Sequence, residues 1–298
     1  MIDYRLLAAL AAVIEEKGFE RAAQVLHLTQ SAISQRVRQL EERTGQVLLV
    51  RSQPPQPTAA GRQLLKHFQQ VRLLENVLPA SLLGESEEKT QNLALGINAD
   101  SLATWFWQAG EKLLQKHRVL FDLRVDDQDV TQQMLKNGEV AGCIGTAAAP
   151  LQGCRCVYLG TMVYRLLAHP DFVARWFPQG VTSTAVAQAP VAIFGRDDAL
   201  QFRLLQQALG PELPLLPVHY VPSSEGFAEV VRRRIAYGAL PDQQSATWLQ
   251  TGEMVEVIPQ RENVRLYWHC WNISSELLKD LENCLRRVAK EVLVQEEV

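Results

Sequence analysis

Residues 19–61 read FERAAQVLHLTQSAISQRVRQLEERTGQVLLVRSQPPQPTAAG, and this pattern decides the fold of the N-terminal part. Glu20 to Leu26 predicts a short helix in which Ala22 and Ala23 are small enough for close helix packing. His27-Leu28-Thr29-Gln30 reads as a tight turn, with Thr29 as the N-cap of a further helix from Gln30 to about Arg43. In that helix Ile33, Val37 and Leu40 fall at i, i+4 and i+7 and form one buried face. Gln30, Ser31, Ser34, Gln35 and Arg38 line the opposite face, which carries no carboxylate before Glu41. From Arg21 to Leu40 the only charged residues are Arg21, Arg36 and Arg38, all positive. Amides, hydroxyls and guanidinium groups are what bond base edges and phosphates in a major groove. Two helices joined by a tight turn, the second with such a face, make a helix-turn-helix. The bland alternative is a three-helix bundle with a solvated face, but such faces usually mix Glu with Lys.

Working outward, residues 3–16 read as a helix, with Leu6, Leu10 and Val13 at helical spacing, Leu7 and Ile14 widening the stripe, and Gly18 ending it. Downstream, a long helix is expected from Thr58 to about Val77. Leu64, Phe68, Val71, Leu74 and Leu78 step by four, three, three and four, a seam that suits a two-helix dimer contact. Packing on its own domain is the alternative. Pro79 ends this helix, and Gly84–Lys89 reads as a polar hinge.

The ordered string Arg21-Ala22-Ala23, Leu26, Thr29-Gln30-Ser31-Ala32-Ile33-Ser34, Leu40-Glu41, Gly45, Leu48-Leu49, Arg51, Thr58 and Gly61 resembles the LysR-family DNA-binding domain almost throughout. The resemblance implies a β-wing after the third helix, with strands at Val47–Val50 and Gln56–Thr58. It places Arg51 and Thr58 against phosphates, where contacts position without specifying sequence. It also implies dimerisation through the long helix. The DNA-binding residues expected are therefore Arg21, Thr29, Gln30, Ser31, Ser34, Gln35, Arg36, Arg38, Arg51 and Thr58. Glu20 departs from the Ser or Thr that often opens the second helix, and Pro54, Pro55 and Pro57 suggest a stiff wing.

Residues 93–298 alternate short apolar runs with amphipathic segments. Strands are expected at Leu93–Ile97, Leu120–Val125, Val140–Ile144, Tyr164–Ala168, Val191–Phe194, Val218–Val221, Met254–Ile258 and Leu266–Cys270, with a closing helix at Ser274–Val294. Such alternation means an α/β fold with mainly parallel sheets. The resemblance implies a periplasmic-binding-protein-like effector domain of two subdomains. The whole reads as an α-helical winged helix-turn-helix domain (1–60), a linker and dimerisation helix with a hinge (61–89), and an α/β effector domain (90–298). Subdomain I covers about 90–161 and 266–298, and subdomain II about 162–265.

Ligands of open α/β sheets bind where strands end and helices begin. Asn98-Ala99-Asp100-Ser101 and Ser223-Ser224-Glu225 have that context, and Asp126-Asp127-Gln128-Asp129 with Thr131 follows another strand. The candidate effector residues are Asn98, Asp100, Ser101, Asp126, Asp127, Thr131, Ser223, Ser224 and Glu225. Helix capping is the competing explanation for Ser101, Ser223, Asp129 and Thr131. The stretches LALGINADSLATW, VDDQDVTQQMLKNGEVAGCIG, VPSSEGFAEVVR and LYWH are similar to the lysine- and arginine-sensing branch of the same family, also described as inhibitors of chromosome replication initiation. This likeness implies L-lysine or L-arginine as effector, with its carboxylate near Ser101 and its cationic end near acidic residues.

The 298-residue chain has a net charge of −3, and its first 60 residues carry seven Lys/Arg against six Asp/Glu, so DNA affinity must come from local placement. No apolar run reaches the roughly 18 residues that span a membrane, and MIDYRLLAAL lacks the basic start of a signal peptide. A cytoplasmic, nucleoid-associated location is expected. The five cysteines form no even framework, and Cys154 and Cys156 lack zinc-knuckle spacing, so no metal or other cofactor is expected. No GxGxxG, P-loop, HExxH or GxSxG motif is present, and no enzyme is read. Expected partners are double-stranded promoter DNA, copies of the chain in a homodimer or homotetramer, and RNA polymerase. An architectural protein blocking replication at curved or AT-rich DNA is the alternative.

Overall fold

The computed structural model describes residues 2–75, 90–125 and 128–295. Three helices, α1 (Tyr4–Glu15), α2 (Phe19–Val25) and α3 (Gln30–Thr44), enclose the N-terminal core. Leu6, Leu7, Leu10 and Val13 meet Ala22, Ala23, Ile33, Val37 and Leu40 there, all buried. Each buried branched side chain stabilises the fold by about 1.5–3 kcal/mol. Thr29 caps α3, its Oγ1 accepting from the Ala32 amide at 3.2 Å, and Gly45 ends the helix in the left-handed region at φ 66°. A short antiparallel wing follows, β1 (Leu49–Val50) against β2 (Gln56–Pro57). The Glu41 carboxylate anchors its root, accepting from the Leu48 amide at 2.9 Å and the Leu49 amide at 3.4 Å.

Helix α4 (Ala59–Glu75) joins the N-terminal domain to the effector domain. Its Gly61 lies so close to the wing root that a Cβ there would stand 2.1 Å from the Leu48 carbonyl oxygen. Leu64 and Phe68, expected on a dimer seam, pack on the N-terminal core of their own chain, to which α1 contributes Leu6, Leu7, Leu10 and Val13. Tyr4 of α1 bonds His67 at 3.1 Å and lies 6.4 Å from the Phe68 ring. Val71 is half-buried, Leu74 is 42% exposed, and Leu78 lies outside the described residues. One residue before Leu74 the helix changes allegiance: Leu73 is buried in the core of the effector domain.

The effector domain is organised by a six-stranded sheet in the order β4-β3-β5-β10-β6-β9. Its strands are β3 (Gln91–Ile97), β4 (Val119–Val125), β5 (Gly142–Gly145), β6 (Cys154–Ala168), β9 (Gly238–Pro241) and β10 (Val255–Trp271). A parallel pair, β7 (Val191–Ile193) and β8 (Val218–Tyr220), is tied to it by a bridge between Val191 and Tyr237. Around the strands lie α5 (99–114, with a π-helical stretch Leu102–Phe106), α6 (Gln128–Asn137), α7 (Pro170–Trp176) and α8 (Ser183–Val186). They are followed by α9 (Leu200–Leu209), α10 (Ser224–Arg232), α11 (Asp242–Thr251) and α12 (Glu276–Val292). Gly138, after α6, rests on α4 so tightly that a Cβ there would stand 2.4 Å from the Lys66 Cβ.

The sheet corrects three expectations. It is not mainly parallel: β4, β3 and β5 run parallel, but β10 is antiparallel to β5 and β6, and β6 to β9. The two strands expected at Met254–Ile258 and Leu266–Cys270 are one, β10, of 17 residues. The polar run between them is strand because it pairs along β6, Arg261 with Arg165 and Val264 with Met162, and half of a paired strand can face water. Gly238–Pro241 is a strand that its short, Gly- and Pro-bounded sequence did not signal.

Strands β6 and β10 cross together from one subdomain to the other. At the crossing Thr161 pairs with Arg265, and the register slips between Leu266 and Tyr267. Gly160 sits there at φ 150° against Leu293, and Thr161 exchanges both backbone hydrogen bonds with Val294. Gln295 donates to the Leu159 carbonyl at 3.1 Å, so the end of the chain braces the crossing.

Candidate DNA-reading face and effector cleft

On α3, Gln30, Ser31, Gln35 and Arg38 are exposed, while Ser34 and Arg36 are half-buried; Arg21 stands exposed on α2. Ile33, Val37 and Leu40, buried behind them, fix the direction of this polar face. Thr29 is occupied by its cap and by a 3.0 Å contact between its hydroxyl and that of Ser31. Among the described residues Arg21, Arg38 and Arg51 join no ion pair, so their charge is available to phosphate. The Arg51 guanidinium lies 6.0 Å from the Phe19 ring, which steadies the wing against α2. Thr58 is a correction. Its hydroxyl proton goes to the Val47 carbonyl at 2.8 Å and its oxygen accepts from the Gly61 amide at 3.1 Å. It caps α4 at the wing root and has no proton to offer a phosphate.

The second site lies between the subdomains, where β3 runs into α5 and where α10 begins. Asp100, in the first turn of α5, accepts from the Tyr164 hydroxyl of β6 and from the Ser224 hydroxyl of α10, each at 2.6 Å. The Ser224 bond ties α5, whose Trp105 and Phe106 belong to one apolar core, to α10, whose Phe227 and Val231 belong to another. Burial pushes the Asp100 carboxyl above its ordinary range; the bonds from Ser224 and Tyr164 oppose this, and the nearby Asp198 and Glu225 add to it. No cation is among these influences. Gln244 of α11 donates to the Ser224 carbonyl at 3.3 Å and stands beside the same bond. A cavity of about 240 Å³ opens next to it, lined by Glu225, Ala228, Glu229, Arg232, Gln244 and Trp248.

The other expected residues divide. Asn98 is buried at the N-terminus of α5 and makes no side-chain cap. Ser101 is fully buried, accepts from the Trp105 indole at 3.1 Å and makes no side-chain cap, which corrects its capping reading. Thr131 is fully buried and lies against β3, where a Cβ on Gly96 would stand 3.0 Å from its own. Ser223 is the N-cap of α10, accepting from the Gly226 amide at 3.1 Å, and Glu225 is exposed. Asp126 and Asp127 lie outside the described residues. Three residues went unnoticed in the sequence: Tyr164, Asp198 and Gln244. Asp198 had a signal, since it follows an expected strand and precedes a helix, and it caps α9 through the Leu200 amide at 2.9 Å. A Tyr within a strand and a Gln within a helix carry none. Among the described residues no group of His, Cys, Asp and Glu is placed to hold a metal ion, and no helix is long and apolar enough to cross a membrane.

Two family profiles match the chain. One, described as "Bacterial regulatory helix-turn-helix protein, lysR family", covers residues 4–62; the other, "LysR substrate binding domain", covers residues 86–292. The chain is 48% identical to the HTH-type transcriptional regulator ArgP of Pseudomonas aeruginosa over 297 residues, 99% of this chain and 98% of the relative. Among solved structures it is similar to ArgP from Mycobacterium tuberculosis (TM-score 0.86, 36% identity, 99% of this chain and 100% of that one). It is also similar to full-length LysG from Corynebacterium glutamicum with bound effector Arg (TM-score 0.77, 33% identity, 99% and 100%).

Proposed function

The chain belongs to the LysR family: it is a DNA-binding transcriptional regulator modulated by a small effector, not an enzyme, and on that premise we propose that the effector is L-lysine or L-arginine. One observation carries the choice. The buried Asp100 carboxylate stands between the subdomains with Asp198 and Glu225 nearby and only neutral hydroxyls as partners. A basic amino acid supplies the missing positive charge, and its carboxylate is suited to the amides that open α5. The arginine bound by the related LysG supports the same class.

Binding that draws on both subdomains favours one arrangement of them, and such differential affinity is what shifts a population. The shift reaches DNA through α4, which touches the N-terminal core at Leu64 and Phe68 and the effector core at Leu73. In this reading Gln30, Ser34, Gln35 and Arg38 read bases, while Arg21, Arg36 and Arg51 hold phosphates of a promoter. Two copies place two recognition helices about 34 Å apart, a tetramer doubles the contact, and RNA polymerase receives the output in the cytoplasm. The exposed Leu74 is left for the dimer contact.

Calorimetric titration of the full chain with L-lysine, L-arginine and unrelated amino acids tests the effector. Saturable binding of a basic amino acid alone, with altered protection of promoter DNA, is the expected result. Binding of neither, with promoter occupancy indifferent to both, overturns it.

A further inference from the structure

Buried acceptors are nearly always hydrogen-bonded, and the exceptions call for a reason. Nine buried side-chain atoms among the described residues have no hydrogen-bond partner, and Asn98 Oδ1, Gln201 Oε1 and Gln244 Oε1 are three of them. Asn98 is 8% exposed and Gln201 2%. Asn98 and Gln244 adjoin Asp100, and Gln201 follows on the helix that begins beside Asp198. Asn98 precedes Asp100 by two residues on the same strand-to-helix turn. The Gln244 amide nitrogen lies 3.3 Å from the carbonyl and 3.5 Å from the hydroxyl of Ser224, and that hydroxyl donates to Asp100. Gln201 lies at the start of α9, three residues beyond Asp198, whose charge acts on Asp100. Reversing the Gln244 amide does not remove the problem. Its nitrogen must face the Ser224 carbonyl, so its oxygen is the atom left over. Asp100 itself accepts two bonds, and a carboxylate has room for about four.

The site thus holds acceptors in excess of donors, taken from β3–α5 on one side and from α9 and α11 on the other. We infer that Asn98, Gln201 and Gln244 complete, with Asp100, an acceptor-only subsite for the cationic side-chain group of the effector, drawn from both subdomains at once. This rests on the reading of the effector as a basic amino acid. An ammonium brings three N–H donors and a guanidinium five, and neither brings an acceptor to compete. A neutral chain of equal length leaves every one of these oxygens unpaired. Sites built to bond a polar group reject the analogue that lacks it far more strongly than apolar sites reject an extra methylene.

The test uses the full chain with Gln201→Met and Gln244→Met, variants that keep side-chain length and remove the acceptor, and in the second case also the donor to Ser224. L-lysine, L-arginine and L-norleucine are titrated calorimetrically, and thermal midpoints are recorded without ligand. The wild-type chain is expected to bind lysine or arginine and to bind norleucine at least about a hundredfold more weakly. Each variant is expected to bind the basic amino acid about tenfold more weakly. Gln201→Met should nevertheless melt no lower than wild type without ligand, since a buried acceptor with no partner has gone, whereas Gln244→Met also loses the donor to the Ser224 carbonyl and is read by its binding alone. Wild-type affinity in both variants, equal losses for lysine and norleucine, or weaker binding by Gln201→Met together with a lower midpoint overturns the subsite while leaving the effector intact. A wild-type chain that binds neither basic amino acid overturns the effector reading itself, and the subsite with it.

Discussion

Burial raises the Asp100 carboxyl above its ordinary range against the two hydroxyls that bond it, so its charged form costs the folded chain more than the unfolded one. For an acid raised in this way the stabilising contribution is whole below the unfolded value, about 3.9, and is lost as pH rises through the folded one. Asp100→Asn is therefore expected to melt above wild type at pH 7 without ligand, and the gap should close toward about pH 4; differential scanning at several pH values reads it. Burial pushes the Cys143 thiol up to about 12, so it should resist alkylation at pH 8 until the protein unfolds, as a timed labelling experiment would register. On α3, Gln30→Ala should cost about 1–3 kcal/mol of discrimination for the cognate site with little change in non-specific binding. Arg51→Ala should weaken all sequences alike and flatten the salt dependence. Competition assays at two salt concentrations separate these outcomes. The polar face of α3 was legible residue by residue because its apolar period and its lack of acid are both local. Thr58 was misread because a hydroxyl carries no sign of where its proton goes; only the 2.8 Å approach of the Val47 carbonyl decides that.

At the scale of elements, α3, α4 and α12 could be placed from periodicity and caps alone. The long strands could not. Cys154–Val163 and the polar middle of β10 are extended because each pairs with the other, and pairing between residues a hundred positions apart leaves no local pattern. The start of α10 shows why strand-end rules overreach. Ser223 and Ser224 are neighbours, yet one caps the helix and the other bonds Asp100 across the cleft. Ser223→Ala should cost about 1 kcal/mol of stability and leave effector affinity unchanged, a pairing that denaturation and calorimetry together can check. Helix α4 carries the oligomer prediction. Leu74→Asp places a charge on its exposed apolar side without disturbing the Leu64 and Phe68 contacts, and sedimentation should show a lighter species; an unchanged assembly removes α4 from the dimer contact.

For the whole molecule, the cleft and the sheet are one construction. Ligand held by both subdomains stabilises both, and at a hundred times Kd the gain is about 2.7 kcal/mol. A melt with saturating L-arginine or L-lysine should therefore move as a single transition through the effector domain rather than splitting into two. The same construction decides how such regulators can be recombined. Strands β6 and β10 each contribute one half to each subdomain, bonded rung by rung through Thr161 and Arg265. Replacing subdomain II with that of another regulator means severing and rejoining two neighbouring strands at the same rung, in register, with Gly160 and its brace intact. The DNA-binding domain is joined by one passage of chain, so a graft needs one cut, provided the seats of Leu73 and Lys66 on the effector domain are kept. A lineage, or a laboratory building hybrid sensors, can therefore trade operators easily while each effector domain is inherited whole.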